Sequence, residues 1–274
     1  MTRPDEHGPE GLAADLPYLA RRRLLVTGLA MGGMALSLWA ARGRAQTATG
    51  TSADGSTCVA LPAETPGPFP ADGTNVREGQ MVNILTEAGV IREDIRTSIG
   101  GLLPVAEGVP VRLEMTLQDI RRACAPLAGH AVYLWQCDAA GVYSIYGAAD
   151  RNYLRGVAIS DASGRVRFTT VLPGCYPGRW PHLHFEVFTS AEAAVNGRQA
   201  LLTSQFAFPE APCAATYAAD PRYAASVEPF EGVSLRRDGI FRGSSEAELA
   251  AQVLAMTGSP GAGYRASAVV GLLA

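Results

Sequence analysis

The chain has 274 residues, 47% of them hydrophobic and 18% charged, with 26 acids against 23 basic residues and a net charge of -3. All the basic residues are arginine, so lysine Schiff-base chemistry and a phosphate-loop lysine are excluded. The acidic balance argues against nucleic acid as a partner, and the composition is that of a globular chain. Acid–base or metal work falls to the histidines His7, His130, His182 and His184.

Taken in chain order, the first feature is Arg21-Arg22-Arg23, followed by an apolar run from Leu24 to Ala41 and then Arg42-Gly43-Arg44-Ala45. A basic stretch, a moderately apolar stretch and small residues before a cut predict a signal peptide over residues 1–45, cleaved after Ala45. The paired arginines followed by x-Leu-Leu resemble a twin-arginine export signal. The other reading is a retained anchor, for which the run is short. Export places the protein in the periplasm or outside the cell, with membrane contact only in transit. The cut removes six arginines and four acids, leaving 229 residues with a charge of -5, enough for one domain.

Residues 46–57 are rich in Thr, Ser, Gly and Ala and are expected to be a flexible leader. Residues 58–274 are expected to form the domain. The cysteines Cys58, Cys124, Cys137, Cys175 and Cys213 all lie beyond the signal, so one or two disulfides are expected, with Cys175 read as half of one. No Cys-x-x-Cys pair occurs, which argues against a cysteine zinc site.

Five short segments rich in Val, Leu, Ile, Tyr and Phe predict strands: Val109–Thr116, Ala131–Cys137, Arg155–Ile159, Val166–Thr170 and His182–Phe188. Turn residues separate them, including Asp138 to Gly141, Ser160 to Gly164, and Pro173-Gly174. Val166, Phe168 and Thr170 alternate with Arg165, Arg167 and Thr169, the pattern of a half-buried strand. The expected fold is all-β, an antiparallel β-sandwich with long loops and little helix. The one helix expected is Glu246–Met256, capped by Ser244 or Ser245.

The densest chemistry is the run Tyr176-Pro177-Gly178-Arg179-Trp180-Pro181-His182-Leu183-His184-Phe185-Glu186. On a strand, residues two apart face the same way, so His182 and His184 can offer two imidazoles to one metal. Tyr143 and Tyr176 follow glycine-marked turns nearby. Glu186 shares the histidine face, so a facial triad using it is a rival arrangement, and Tyr146 and Tyr153 rival Tyr143. His130 sits at a turn and is expected to be structural.

The run Val132 to Ser144 resembles the first tyrosine segment of intradiol ring-cleavage dioxygenases, the family of catechol 1,2-dioxygenase and protocatechuate 3,4-dioxygenase. Asn152 to Gly156, the turn at Asp161 to Gly164, Tyr176 to His184, the loop Glu64 to Phe69 and Leu202 to Gln205 continue the resemblance in order. It implies a mononuclear non-haem Fe³⁺ held by Tyr143, Tyr176, His182 and His184. Phenolate oxygens are hard anionic donors suited to a trivalent cation. The resemblance also implies that Tyr176 gives up its place as a catechol binds, and that Arg179 stabilises charge developing on the substrate. Gln205 would support the site, and Pro66, Gly67, Pro68 and Trp180 would line the pocket.

The implied reaction cleaves a catechol-type ring between its two hydroxyl-bearing carbons and inserts both atoms of O₂. Two features depart from the family pattern. Only five residues separate Tyr176 from His182, and no amino-terminal helical dimerisation region precedes the strands; self-association is left open. The alternative from another class is a secreted β-sandwich binding module that has lost catalysis. A zinc hydrolase would not call for two tyrosines.

Overall fold

In the computed structural model, residues 47–197 and 199–274 are described. The expected signal over residues 1–45 lies outside them. The described residues hold more strand than helix. Beginning at the leader, β1 (Thr49–Thr51) and β2 (Thr57–Val59) form a small antiparallel pair. The stretch expected to be a flexible leader thus contains β1. A second hairpin, β3 (Asp72–Arg77) and β4 (Gln80–Asn83), stands apart from the two larger sheets.

The first large sheet is built on β5 (Pro110–Asp119), the longest strand of the central region. It pairs antiparallel with β6 (Ala125–Pro126) and β9 (Arg165–Val171), and parallel with β13 (Gly263–Leu272), which pairs with β12 (Ala255–Ser259). The expected all-antiparallel pattern therefore gives way to a mixed sheet. A parallel partner needs a long crossover, and the helical segment between residues 210 and 252 supplies it.

The second sheet has the order β11 (Leu202–Ala207), β10 (His182–Phe188), β7 (Ala131–Trp135) and β8 (Arg155–Ile159), antiparallel throughout. One apolar cluster draws Leu113, Met115 and Phe168 from the first sheet and Leu134, Phe185 and Phe206 from the second. Phe185 and Phe206 stack with centroids 4.8 Å apart. The opposite face of the second sheet is buried too, by a cluster that includes Tyr133, Trp135, Tyr143 and the loop residues Ile84 and Leu85. β10 is consequently buried at every position. With both faces covered, a strand reads as a continuous apolar run rather than a strict alternation.

The helices are α1 (Ala191–Val195), α2 (Glu210–Ala219), α3 (Val227–Gly232) and α4 (Glu246–Gln252). In α4, Ser245 accepts from the Glu248 amide at 3.2 Å while the Glu248 carboxylate accepts from the Ser245 amide at 2.8 Å, a capping box. The helix stops short of Met256 because Val253 bridges to Ala207 and the chain then enters β12.

Cys58 and Cys124 form a disulfide across 66 residues, tying β2 to the end of β5. The expectation for Cys175 is overturned: it is a free, buried thiol, as are Cys137 and Cys213. Its amide donates to the Ser226 hydroxyl at 2.9 Å, and burial pushes its pKa up to about 12.

Candidate metal centre

The register of the second sheet sets a row of side chains across it. Arg155 pairs with Trp135, Trp135 with His184, and His184 with Gln205. These four stand side by side on the face turned away from the inter-sheet core, because directly paired residues share a face. His182 follows two residues earlier on the same face. Trp135 stacks on His184 at 5.1 Å between centroids and 7° between planes.

The two tyrosines come from turns packed backbone to backbone. The Asp138 carboxylate accepts from the Ala140 and Val142 amides at 3.0 Å each, closing the turn that delivers Tyr143. Gly141 takes φ of 81° there, a conformation glycine adopts without steric cost. Gly174 lies against this turn so closely that a Cβ would meet Ala139 O and Gly141 N at 2.6 Å each. Two residues later the chain presents Tyr176.

Four donor atoms converge. Tyr143 Oη lies 3.4 Å from Tyr176 Oη, 3.4 Å from His182 Nε2 and 3.2 Å from His184 Nε2. His182 Nε2 lies 3.2 Å from Tyr176 Oη and 3.1 Å from His184 Nε2. Donors about 2.0–2.1 Å from a shared centre in a tetrahedral shell stand roughly 3.3–3.4 Å from one another. The observed spacings of 3.1–3.4 Å therefore match a first-row cation at the middle.

Proton bookkeeping points the same way. The Nδ1–H of His182 donates to the Trp180 carbonyl at 2.5 Å, which leaves the Nε2 lone pair facing the cluster. Burial, and then the charge of Arg179, hold His182 well below the usual histidine range. Burial lowers His184 likewise, with His182, Arg179 and Arg155 adding to the effect. Two neutral imidazoles thus aim nitrogens at one point. Burial, followed by the neighbouring Tyr176, raises the Tyr143 phenol well above its ordinary value. A cation is what would draw off that proton. His184 Nδ1 is buried without a hydrogen-bond partner, as is Trp135 Nε1. Tyr176 is partly exposed, and Pro177 and Gly178 are exposed, so the cluster meets solvent on that side.

The remaining sequence candidates fall in two places. Arg179 is 2% exposed and donates through Nη2 to Gln205 Oε1 at 2.6 Å. Gln205 Nε2 donates in turn to the Thr65 carbonyl at 2.8 Å, joining Arg179 to the loop that contains Pro66, Gly67 and Pro68. That loop ends on Phe69, whose ring lies 5.0 Å from Tyr143. Trp180 turns the other way: its ring packs 5.1 Å from Phe230, and its Nε1–H donates to the Phe208 carbonyl at 2.8 Å. Its backbone, rather than its ring, serves the cluster, through the carbonyl that receives His182.

The rival residues are engaged elsewhere. Tyr146 donates to Asn75 at 2.7 Å, Tyr153 donates to Asp138 at 3.0 Å, and Glu186 accepts from Thr203 at 3.0 Å. His130 contacts the Ala128 carbonyl at 3.1 Å.

Sequence reasoning passes over two residues. Arg155 is fully buried and donates to Phe69 O at 2.8 Å, Pro70 O at 3.1 Å, and Ser144 Oγ and O at 3.1 and 3.2 Å. It clamps the pocket loop to Ser144, the residue after Tyr143; a charged residue opening an otherwise apolar strand was its signal. Asp238 accepts from Arg179 Nε at 2.9 Å and from the Trp180 amide at 2.8 Å. Nothing in the local pattern around it marks it.

Residues 104–220 match the family model for a dioxygenase. Over 99 residues the chain is 34% identical to the protocatechuate 3,4-dioxygenase beta chain of Burkholderia cepacia, covering 31% of this chain and 42% of that one. The match thus spans under half the length of that curated relative. A solved intradiol ring-cleavage dioxygenase from Tetranychus urticae superposes with a TM-score of 0.57 at 22% identity, covering 78% of this chain and 94% of its own. That likeness is one of fold. Residues 104–220, which hold both tyrosines, both histidines, Arg179 and Gln205, carry a dioxygenase domain. Over this stretch the chain is similar to the dioxygenase family model and to the protocatechuate 3,4-dioxygenase beta chain.

Proposed function

We propose that this protein is a non-haem ferric dioxygenase that opens a catechol-type ring between its two hydroxyl-bearing carbons and inserts both atoms of O₂. The observation that carries the reading is the cage of two phenol oxygens and two imidazole nitrogens spaced 3.1–3.4 Å apart. Tyr143, Tyr176, His182 and His184 would hold Fe³⁺. When bound, the metal would supply Lewis-acid chemistry that favours the deprotonated catechol and its reaction with O₂. The reaction balances without a reductant, because the ring carbons are oxidised to two carboxyl groups as both oxygen atoms are reduced.

The chain's own residues supply the rest. Two phenolates would cancel two of the three charges, so the site favours a further anionic donor, as a catecholate is. Tyr176 Oη, on the open side, is placed to take a proton from an incoming hydroxyl. Arg179 keeps its charge at any working pH and would stabilise negative charge developing on the ring. Gln205 holds that guanidinium, and the loop from Pro66 to Phe69 walls the tyrosine side. Trp180 is assigned to the back of the site through its carbonyl.

The reading extends to architecture and address. The two large sheets, sharing one apolar cluster, are taken as the layers of a β-sandwich. Residues 1–45 are taken as a twin-arginine export signal, a route suited to a protein folded around its metal.

The test is a screen of oxygen uptake over catechol, protocatechuate, hydroxyquinol and larger lignin-type catechols, with metal analysis of the same sample. Uptake by red-brown protein containing iron is the expected outcome. A colourless protein holding stoichiometric zinc and inert to every catechol would return the protein to the binding-module reading.

A further inference from the structure

Arg179 is held from behind by a residue outside the stretch matched to the dioxygenase family. Asp238 lies in the carboxy-terminal segment and is fully buried, and so is Arg179 to within 2%. A carboxylate offers about four acceptor sites. Here Oδ2 receives Arg179 Nε at 2.9 Å and the Trp180 amide at 2.8 Å, while Oδ1 receives the Ile240 amide at 2.8 Å and the Phe241 amide at 3.2 Å. Two of these bonds lock the carboxylate to its own turn. The other two grip residue 179 by its side chain and residue 180 by its backbone.

We propose that Asp238 is the positioning residue that sets the plane of the Arg179 guanidinium toward the bound catechol. The inference rests on the ring-cleavage reading. Asp238 takes the Nε edge and Gln205 takes Nη2, so the planar group is gripped from two directions by residues 59 and 26 positions away. A fork-shaped cation held this way cannot swing. A buried ion pair is weak evidence for stability, since apolar residues of similar volume often serve a fold as well. Its value is the direction it imposes, and catalysis by a fixed charge depends on that direction. Asp238 also accepts from the Trp180 amide, and that bond, with those from its own turn, fixes the carboxylate that grips the guanidinium.

The test compares wild-type protein, Asp238→Asn, Arg179→Met and the double variant, each purified with its metal. Four quantities are read: kcat and KM from oxygen uptake, iron content, and catechol affinity from an anaerobic titration of the visible band. Losing Arg179 is expected to lower kcat by about 100- to 1,000-fold, as for removal of a transition-state donor. Losing Asp238 alone should lower it by about 10- to 100-fold, as for a supporting partner. The double variant should match Arg179→Met within about twofold, because Asp238 acts only through Arg179. Iron content should not change. Additive losses, or wild-type kcat in Asp238→Asn, would overturn the proposal.

A second readout needs neither an Asp238 variant nor turnover. The Nε–H of Arg179, assigned in the metal-free full chain by its loss in Arg179→Met, should exchange slowly with solvent; rapid exchange overturns the proposal. Wild-type protein inert to every catechol would sink the ring-cleavage reading instead, and slow exchange with unchanged iron would keep the Arg179–Asp238 lock standing apart from it.

Discussion

Gly174→Ala tests how the two tyrosine-bearing turns build the cage. The added methyl would lie 2.6 Å from both Ala139 O and Gly141 N, and 3.0 Å from Ala139 C. These are backbone atoms, which cannot rotate aside. Ordinary contact begins at about 3.4 Å, so the turns must separate by roughly 0.8 Å. Tyr143 Oη and Tyr176 Oη, now 3.4 Å apart, would move toward about 4 Å, wider than the roughly 3.3–3.4 Å that separates donors in a tetrahedral shell. Forcing a methyl into a packed backbone contact costs about 1–3 kcal/mol. If the strain falls on the metal-loaded state, iron affinity drops by about 5- to 150-fold. The assay is a competition titration with an iron chelator, followed through the visible band. Gly261→Ala is the control, because no atom lies within 4 Å of its Cβ position. Equal iron affinity in Gly174→Ala, Gly261→Ala and wild type would refute the argument that this backbone contact sets the tyrosine spacing.

Other outcomes follow from the same geometry. Tyr143→Phe and His184→Ala should lose the visible charge-transfer band and oxygen uptake, whereas Tyr146→Phe and Tyr153→Phe should keep the band; a colourless Tyr153→Phe would reopen the ligand assignment. Reducing the Cys58–Cys124 bond, which spans 66 residues, should lower stability by about 2–4 kcal/mol, and a denaturation midpoint indifferent to reductant would contradict this. Burial, and next the Asp72 charge, raise the Glu186 carboxyl from 4.5 to about 7. A raised acid favours its protonated form in the fold. Its contribution is therefore full below pH 4.5 and lost as pH rises through about 7, so metal-free protein should lose stability across that window while Glu186→Gln does not. Parallel pH profiles for the two proteins would show that Glu186 is not the group responsible.

Much of the site could be read from local pattern because strand alternation is a local property. His182 and His184 share a face for that reason alone, and the turn residues Asp138, Gly141 and Gly174 mark where the tyrosines enter. Three of the expected strands extend or shrink by a few residues, and Arg155–Ile159 and His182–Phe188 stand as expected. What local pattern does not carry is pairing at long range. β13 alternates Tyr264, Ala266, Ala268, Val270 and Leu272 inward, a strand signal that was there to be read; its parallel partner was not. Cys175 sits beside Tyr176 in sequence, yet the disulfide joins Cys58 and Cys124. Asp238 follows two arginines in a loop with no periodicity, and only the fold brings it to Arg179.

The ring-cleavage account stands most directly on where the oxygen goes. Turnover of a catechol under isotopically heavy dioxygen, with the product analysed by mass spectrometry, measures this in one step. The account predicts an open-chain dicarboxylate that carries both heavy atoms, one on each new carboxyl group. Product carrying a single heavy atom, or catechol recovered intact beside iron-loaded protein, would contradict it.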